Sequence, residues 1–285
     1  MMIEGTYFRS QQAVRNMQRL NGEIDRAQQQ VATGQRRLRP SDDPVGYAIS
    51  SKLSRFEGSN AVWQSNLDGL AAHSARADTV TASMDEVMQR AGELMVRGAN
   101  TTASDSDRAA IALELESIAQ TITELSASRN PDGSAVFEDT PLAVPVGAGE
   151  RITATVPRGH LFGAVPTVNG PSAITTILGD AAAALRTTNA AMRAPLVRVA
   201  LDAVTAAQRH VSEMRAAQGI IGARIDAWVE RIEGDKQIVS EEKAKVDGVD
   251  VGEALTRAQA HQLALQATQT MVTRTLSRSL FDLLG

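Results

Sequence analysis

The sequence predicts a mainly α-helical fold: a long antiparallel coiled-coil helical rod with a small β-rich insert and amphipathic terminal helices. Three observations predict it. Apolar residues recur at steps of three and four over most of the chain, a single stretch rich in Pro and Gly lies near the middle, and only 3% of residues are aromatic. Aromatic side chains usually supply much of the buried area of a compact core. Their scarcity favours helix-on-helix seams lined by small side chains.

The composition excludes several classes of function. A net charge of −4 with neither sign dominating any long stretch gives no broad attraction to nucleic acid or to anionic membranes. The chain has no Cys, which excludes disulfides, thiolate nucleophiles and Cys-based zinc sites. No apolar run is long enough to span a bilayer, so no membrane insertion is expected. The first residues lack the pattern of a cleaved secretory signal, and a protein that left the cell would need another route.

The first element is an amphipathic helix with a heptad seam. Its apolar stripe is clear from Ala13 onward, and Thr33-Gly34 provides a helix-ending glycine. A loop rich in Pro and Asp follows. Asp43 is predicted to be an N-cap with Pro44 at the first helical position, where its missing N–H costs nothing. The next helix is predicted over 44–100, about 85 Å at the usual rise per residue.

Two further boundaries are marked by local chemistry. A stretch dense in capping oxygens at 102–107 predicts the start of an antiparallel helix of roughly 25 residues. That helix is predicted to stop at Asn130-Pro131-Asp132-Gly133, a turn in which Gly accepts a positive φ.

Residues 134–172 are predicted to form a small β-rich insert of a few short strands, with 151–156 as one of them. Such an insert is too small for a large core of its own and is expected to lean on the neighbouring helices. Helical periodicity then continues from 174 to about 245, past Pro195, as one long helix. After a break at 246–250, an amphipathic heptad helix runs to the end of the chain.

The predicted organisation has five segments. These are the N-terminal assembly helix with its spoke-like loop (1–43), the N-terminal rod helices (44–133), the outer insert (134–172), the C-terminal rod helices (173–246) and the C-terminal assembly helix (247–285). Terminal seams at opposite ends of the sequence are natural partners for each other and for other copies, which favours assembly. The predicted assembly interface comprises Met17, Leu20, Ile24, Val31, Leu265, Val272, Leu276 and Leu280. The predicted loop and cap residues are Gly34, Asp42, Asp43 and Pro44.

No pattern indicates an enzyme. The pairs Asp42/Asp43 and Asp247/Asp250 are explained by capping and turns, because Pro and Gly flank them. The four His residues lie on separate segments with no zinc-ligand spacing. The Arg36–Arg39 cluster is expected to pair with nearby acids, and Met84, Met88 and Met95 are expected to fill a seam. We therefore expect no catalytic residue, no cofactor and no metal site.

The segment 31–45, VATGQRRLRPSDDPV, resembles a segment of the flagellin superfamily and, within it, of the hook-associated proteins at the hook–filament junction. Similar agreement is found at 92–100, at 105–111 and in the terminal SLFDL at 279–283. Gly46-Tyr47-Ala48-Ile49 resembles filament flagellins instead. Gly285 after the closing Leu and the small size of the insert leave both members of the superfamily open.

The resemblance implies a non-enzymatic structural subunit of the bacterial flagellum that joins hook to filament, or alternatively a short flagellin that forms the filament itself. It implies a homo-oligomer, as a ring or helical assembly, that contacts a neighbouring hook-associated protein and flagellin. It also implies an extracellular location reached unfolded through the flagellar type III apparatus, with an export chaperone on residues of about 250–285. A chemoreceptor-like helical hairpin is a third hypothesis, but it predicts a membrane span and a near-palindromic tip that the sequence lacks.

Overall fold

The computed structural model describes the backbone of residues 2–37 and 39–284, with the side chains of residue 8 and of residues 11–274 other than 38. This part of the chain contains seven helices and four short strands. In chain order they are α1 (Met2–Thr33), α2 (Pro44–Ala99), α3 (Asp105–Ser126), β1 (Val144–Pro145), β2 (Arg151–Ile152), α4 (Arg158–Gly163), β3 (Val165–Thr167), β4 (Gly170–Ser172), α5 (Ile174–Arg186), α6 (Ala190–Asp247) and α7 (Val251–Leu284). Among the described helices, none combines the length and the hydropathy that a membrane-spanning helix needs.

The chain forms two compact units. Unit 1 consists of the residues up to Gly58 together with those from Lys236 onward, and unit 2 consists of Ser59–Asp235. Helices α2 and α6 each contribute residues to both units. The prediction of a mainly α fold with long helices and small antiparallel sheets is confirmed.

Unit 2 is built on the antiparallel pairing of α2 with α6. The amide of Gln208 donates to the backbone oxygen of Met88 at 3.0 Å, and the Arg215 guanidinium donates to Asp85 at 3.1 Å. Residue numbers rise along α2 as they fall along α6, so the two helices run in opposite directions. Helix α3 packs on α5, and these helices share one apolar core with α2 and α6. The fully buried side chains of this core include Met84, Met88, Leu94, Met95, Leu115, Ile122, Leu178 and Leu185. The expected seam role of Met84, Met88 and Met95 is therefore confirmed.

The ends of α3 are set by local hydrogen bonds. Ser104 and Asp107 form a capping box in which each side chain accepts from the other residue's backbone N–H. The turn after α3 contains Gly133 at a φ of +85°, as the sequence predicts. Arg108, which is 6% exposed, donates to the backbone oxygens of Gly98 and Asn100 at the end of α2. This buried guanidinium satisfies carbonyls that the helix end leaves without an intrahelical partner.

The prediction of one helix from 174 to 245 is wrong at its beginning. The structure has two helices, α5 and α6, separated by residues 187–189. Asn189 ends the break because its side-chain oxygen accepts from the backbone N–H of Ala191 at 3.0 Å and of Met192 at 3.3 Å. An N-cap of this kind starts a new helix within an apolar pattern that itself continues without interruption.

The insert contains two two-stranded antiparallel sheets, β1 with β2 and β3 with β4, and the short helix α4. The strand expected over 151–156 is shorter than predicted and ends at Ile152. The backbone that follows Ile152 forms hydrogen bonds with a side chain of α6 instead. Gln218, which is 1% exposed, accepts from Val156 N–H at 3.2 Å and donates to the Ala154 oxygen at 2.9 Å.

The insert has no separate core of its own. Phe137, Leu161 and Val165 are buried in the main core of unit 2. Val146 and Ile152 belong to a second cluster formed with helix residues. The expectation that the insert leans on the neighbouring helices matches this packing.

Candidate assembly site

Unit 1 brings the two ends of the chain together. Gly34 follows α1 at a φ of +69°, as a helix-ending glycine does. The backbone N–H of Val249 donates to the Gly34 oxygen at 3.1 Å, and that of Arg36 donates to the Asp247 oxygen at 2.7 Å. The end of α1 therefore lies beside the start of α7. Because the two helices also contact each other, they form an antiparallel hairpin, which we call the terminal hairpin.

The predicted seam residues whose side chains the structure describes are buried or half-buried in the terminal hairpin. On α1, Leu20 and Ile24 are each 7% exposed. On α7, Ala254 and Ala258 are buried at the same three-to-four spacing. The half-buried predicted residues are Met17, Val31, Leu265 and Val272. The side chains of Leu276 and Leu280 lie outside the described part of the chain. The seam thus joins α1 to α7 within one molecule, and its role between molecules stays a prediction.

A second apolar face lies on the outer side of α7. Leu263 is 67% exposed. Three alanines at helical spacing continue this face, and all are exposed: Ala260, Ala264 and Ala267. At 100° per residue these positions point away from the seam. We call this set of four residues the outer face of α7. A two-helix hairpin cannot cover both the seam and the outer face.

An ionic junction fixes the base of the terminal hairpin. The Arg37 side chain is only 8% exposed and pairs with Asp43 at 3.2 Å and with Asp247. Asp247 also accepts from the Ser50 hydroxyl at 2.6 Å. The planar guanidinium can hold two carboxylates at once because its donors point in fixed directions. This junction ties the loop after α1 to the start of α2 and to the end of α6.

Asp43 also caps α2, as predicted. Its carboxylate accepts from the Gly46 backbone N–H at 2.9 Å, and Pro44 is the first residue of the helix. That backbone hydrogen bond is the main reason why the pKa of Asp43 lies below its usual value, and Arg37 lowers the pKa further. A side chain at Gly46 would overlap both the Arg37 guanidinium and the Asp43 carboxylate. A substitution here would therefore displace the charged ends of both side chains and perturb the ionic junction.

Of the other acidic candidates, Asp42 and Asp250 are turn or cap residues and Asp247 is not. Asp42 accepts from the Arg39 backbone N–H at 3.1 Å, and Asp250 accepts from the Glu253 backbone N–H at 3.0 Å at the start of α7. Both perform the predicted turn and cap roles. Asp247 was also predicted as a turn residue, but its carboxylate binds Arg37 and Ser50 instead. Its Arg37 partner lies 210 residues away, so local sequence gave no signal for the pairing.

Two of the four histidines hydrogen-bond to backbone oxygens. His73 Nε2 lies 2.8 Å from the Val136 oxygen, and His210 Nε2 lies 2.8 Å from the His160 oxygen. Across the described part of the chain, no group of three or more His, Cys, Asp or Glu residues could hold a metal ion. The features of unit 1 on which a function can be based are the half-buried seam, the exposed apolar residues of α7 and the ionic junction.

Comparison with known proteins identifies the family. The model of the bacterial flagellin N-terminal helical region matches residues 5–141, and that of the C-terminal helical region matches residues 201–284. Together they cover more than half of the chain. The chain belongs to the bacterial flagellin family. It is therefore a structural component of the bacterial flagellum that associates with other flagellar proteins, and the family contains structural proteins rather than enzymes.

Relatives in the flagellin family fall into two groups. A flagellin from Halalkalibacterium halodurans is 25% identical over 268 residues, which is 91% of this chain and 90% of that protein. The flagellar hook-associated protein 3 of Salmonella typhimurium is 28% identical over 109 residues, 38% of this chain and 34% of that protein. Sequence similarity is thus longer to a flagellin and covers only about a third of that hook-associated protein.

Two solved structures that share this fold are those of hook-associated proteins. One from Vibrio parahaemolyticus has a TM-score of 0.64 at 18% identity and covers 73% of this chain and 100% of that chain. The flagellar junction protein FlgL from Legionella pneumophila has a TM-score of 0.58 at 10% identity and covers 70% of this chain and 100% of that chain. At such identities the likeness shows a shared fold.

Proposed function

We propose that this flagellin-family chain is the subunit that joins the hook to the filament, and that it does so as a homo-oligomer held by its terminal hairpin. The observation that carries the proposal is the pair of apolar surfaces on α7. Burying apolar area contributes about 25 cal/mol per Å², so an open face of this kind favours association. The fold shared with junction proteins supports the choice of position within the flagellum.

In this proposal the terminal hairpin acts as one layer of a larger helical assembly. Its partners are the hairpins of further copies, of a neighbouring hook-associated protein and of flagellin. Half-buried seam residues such as Met17 and Leu265 would be covered at the edges of the hairpin. The outer face of α7, including Leu263, would be covered by a neighbouring helix.

A short flagellin that forms the filament itself is the second candidate. The observation in its favour is the similarity to a flagellin over 91% of this chain. Deleting the gene separates the two functions. Loss of a junction subunit leaves hooks and releases flagellin monomers into the medium, whereas loss of the flagellin leaves hooks with nothing to release. Immunoblots of the medium and electron microscopy of the cells measure both outcomes.

The assembly surface is tested by adding a charge to it. Leu263→Glu places a carboxylate on the outer face without entering the seam, because Leu263 is 67% exposed. Gln269→Glu adds the same charge further along α7 at an exposed position about 120° around the helix from Leu263, and is the matched control. We expect Leu263→Glu to be lost from purified flagella and Gln269→Glu to be retained. Equal incorporation of the two variants would remove the outer face from the proposal.

A stronger perturbation breaks the terminal helices themselves. Proline at Ile24 or Val272 removes a backbone hydrogen bond and costs about 3 kcal/mol or more within a helix. Both variants should abolish incorporation while the strands of the insert in unit 2 stay folded. Incorporation at the wild-type level would contradict any role for the terminal helices.

We further propose that the chain is exported unfolded to an extracellular position, without a cleaved signal, and that a chaperone covers residues of about 250–285 before export. Helix α7 is suited to such cover because it carries apolar residues on two sides. The chaperone should protect the amides of α7 from hydrogen exchange in a purified complex. Protection confined to unit 2 would contradict this assignment.

A further inference from the structure

Unit 2 carries a basic cleft beside α2. The cleft has a volume of about 840 Å³ and lies between α2 and the turn that follows α3. Its charged lining groups are Arg76, Arg129 and Asp132, with His73 at its side. Arg76 is exposed and has no ion pair within the described part of the chain. The Asp132 carboxylate accepts from the Ser134 hydroxyl at 2.7 Å and keeps its negative charge, while the Arg129 guanidinium donates to the Gly133 oxygen at 2.7 Å. Two guanidinium groups against one carboxylate leave the cleft with a net positive charge.

Unit 2 also carries an acidic groove between α2 and α6. The groove has a volume of about 400 Å³, and its floor consists mostly of small residues, including Ala71, Ala75 and Gly219. The charged groups that line it are Asp78 and Asp226, both exposed. Neither carboxylate has a hydrogen bond or ion pair with another described residue. A shallow floor of small side chains leaves room for a long side chain that lies along it.

The basic cleft and the acidic groove lie on different sides of one helix. Arg76 and Asp78 are two positions apart on α2, which places them roughly 160° apart around the helix axis. A molecule with opposite charges on opposite sides can assemble into a repeating array, because the basic side of one copy fits the acidic side of the next copy. Heterologous contacts of this kind generate rings or helical arrays.

The charge pattern within one molecule is unfavourable without such a neighbour. Asp226 and Glu230 are four residues apart on α6 and both are exposed, and like charges at that spacing destabilise a helix. Asp78 has no basic residue three or four positions away on α2. Cations supplied from outside would offset this repulsion, and each copy presents two arginines in the basic cleft.

We propose that the basic cleft of one copy docks on the acidic groove of the next copy, with Arg76 and Arg129 reaching Asp78 and Asp226 of that neighbour. The inference rests on the proposed function, since it requires that copies assemble side by side. It goes further by assigning the surfaces of unit 2 that face each other. Arginine suits this contact because its stem lies on apolar surface while its head pairs with carboxylates. Complementary charges across an interface also exclude wrong partners and fix register.

Charge reversal tests the proposal. The cleft variant is Arg76→Glu with Arg129→Glu, the groove variant is Asp78→Arg with Asp226→Arg, and the exchanged variant carries all four changes. Each is expressed in cells that lack the native gene, and its amount in purified flagella is measured by quantitative immunoblot. We expect the cleft and groove variants to fall at least about tenfold, because like charges then face each other. The exchanged variant should recover to within about threefold of wild type, since its surfaces are complementary again.

Two further variants separate docking from folding. Gly219→Leu fills the groove from a position where an added Cβ meets no other atom within 4 Å, so it should fold as well as wild type and still be lost from flagella. Arg209→Glu reverses an exposed arginine of α6 outside both surfaces and should incorporate normally. Thermal melting by circular dichroism checks that each variant folds. If a reversal variant does not fold, the comparison of Gly219→Leu with Arg209→Glu decides the question.

The outcomes distinguish this inference from the proposed function. Wild-type chain that never enters the flagellum contradicts the proposed function. Wild-type chain that enters, together with cleft, groove and Gly219→Leu variants that enter equally well, overturns only the docking of cleft on groove. An exchanged variant that folds but incorporates no better than the single-surface variants overturns it as well.

Discussion

The buried amide of Gln218 gives the sharpest prediction about stability. This side chain is 1% exposed and makes three hydrogen bonds, to Ser74 Oγ, to the Ala154 oxygen and from the Val156 N–H. Gln218→Leu keeps a similar side-chain volume but removes all three hydrogen bonds. Ala154 and Val156 are 5% and 8% exposed, so water does not easily replace the lost bonds. Each unsatisfied buried group costs about 1–3 kcal/mol.

Two such backbone groups together predict a loss of about 2–6 kcal/mol, a large part of the roughly 5–15 kcal/mol that stabilises a typical domain. The measurement is urea denaturation followed by tryptophan fluorescence. Both tryptophans of the chain, Trp63 and Trp228, pack against the cluster of insert and helix residues in unit 2. Their emission therefore reports whether the insert stays docked on the helices.

Gln120→Leu is the matched control, because Gln120 is exposed and hydrogen-bonds only to the Glu124 side chain. Its effect should stay within about 0.5 kcal/mol. Hydrogen exchange at the Val156 amide gives a second readout and should accelerate in Gln218→Leu. If the free energy of unfolding of Gln218→Leu lies within about 0.5 kcal/mol of the wild-type value, the hydrogen bonds of Gln218 do not hold the insert and the reasoning is refuted.

Three further predictions concern unit 1 and the core. Gly46→Ala should lower the melting temperature, because its Cβ overlaps two charged side chains, whereas Gly58→Ala, with open space around it, should stabilise α2 by about 0.5–1 kcal/mol. Asp43 has a lowered pKa in the folded state, so its stabilisation is present above the unfolded value of 3.8 and is lost as the pH falls through the folded pKa. Melting temperatures of wild type and Asp43→Asn should therefore differ most above that pH and converge below it, and a constant difference would contradict the assignment. Met88→Ala should cost about 2–5 kcal/mol in urea denaturation because Met88 is fully buried, while Met192→Ala, at 61% exposure, should change little.

The sequence predicts what local chemistry determines. The start of α2 at Asp43-Pro44, the end of α1 at Gly34 and the turn at Gly133 follow from N-caps, from proline at the first helical position and from glycine at positive φ. The long apolar repeats likewise place the buried methionines in the core. The sequence does not reveal the break at 187–189, because a capping Asn within a continuing apolar pattern resembles any polar residue on a helix surface.

What the sequence cannot predict depends on residues that are distant in the chain. The short strand in the insert ends early because Gln218, 62 residues from Val156, takes over its backbone bonding. Asp247 binds Arg37 across 210 residues, although flanking glycine makes it look like a turn residue. The seam residues could be listed from periodicity alone, but periodicity does not tell whether they face the same chain or another copy. That choice depends on the loop geometry that brings α1 back to α7.

Unit 1 is built from both ends of the polypeptide, which constrains when it can form. The α1–α7 seam and the Arg37–Asp247 pair both need residues from beyond position 236. Until those residues are available, α1 has no partner within the chain for Leu20 and Ile24, and an isolated amphipathic helix gains little from its own propensity. Closing so long a loop also carries an entropic cost that only the complete set of contacts can offset. Unit 1 therefore cannot fold before the residues of α7 are available, which is compatible with the proposed export of an unfolded chain.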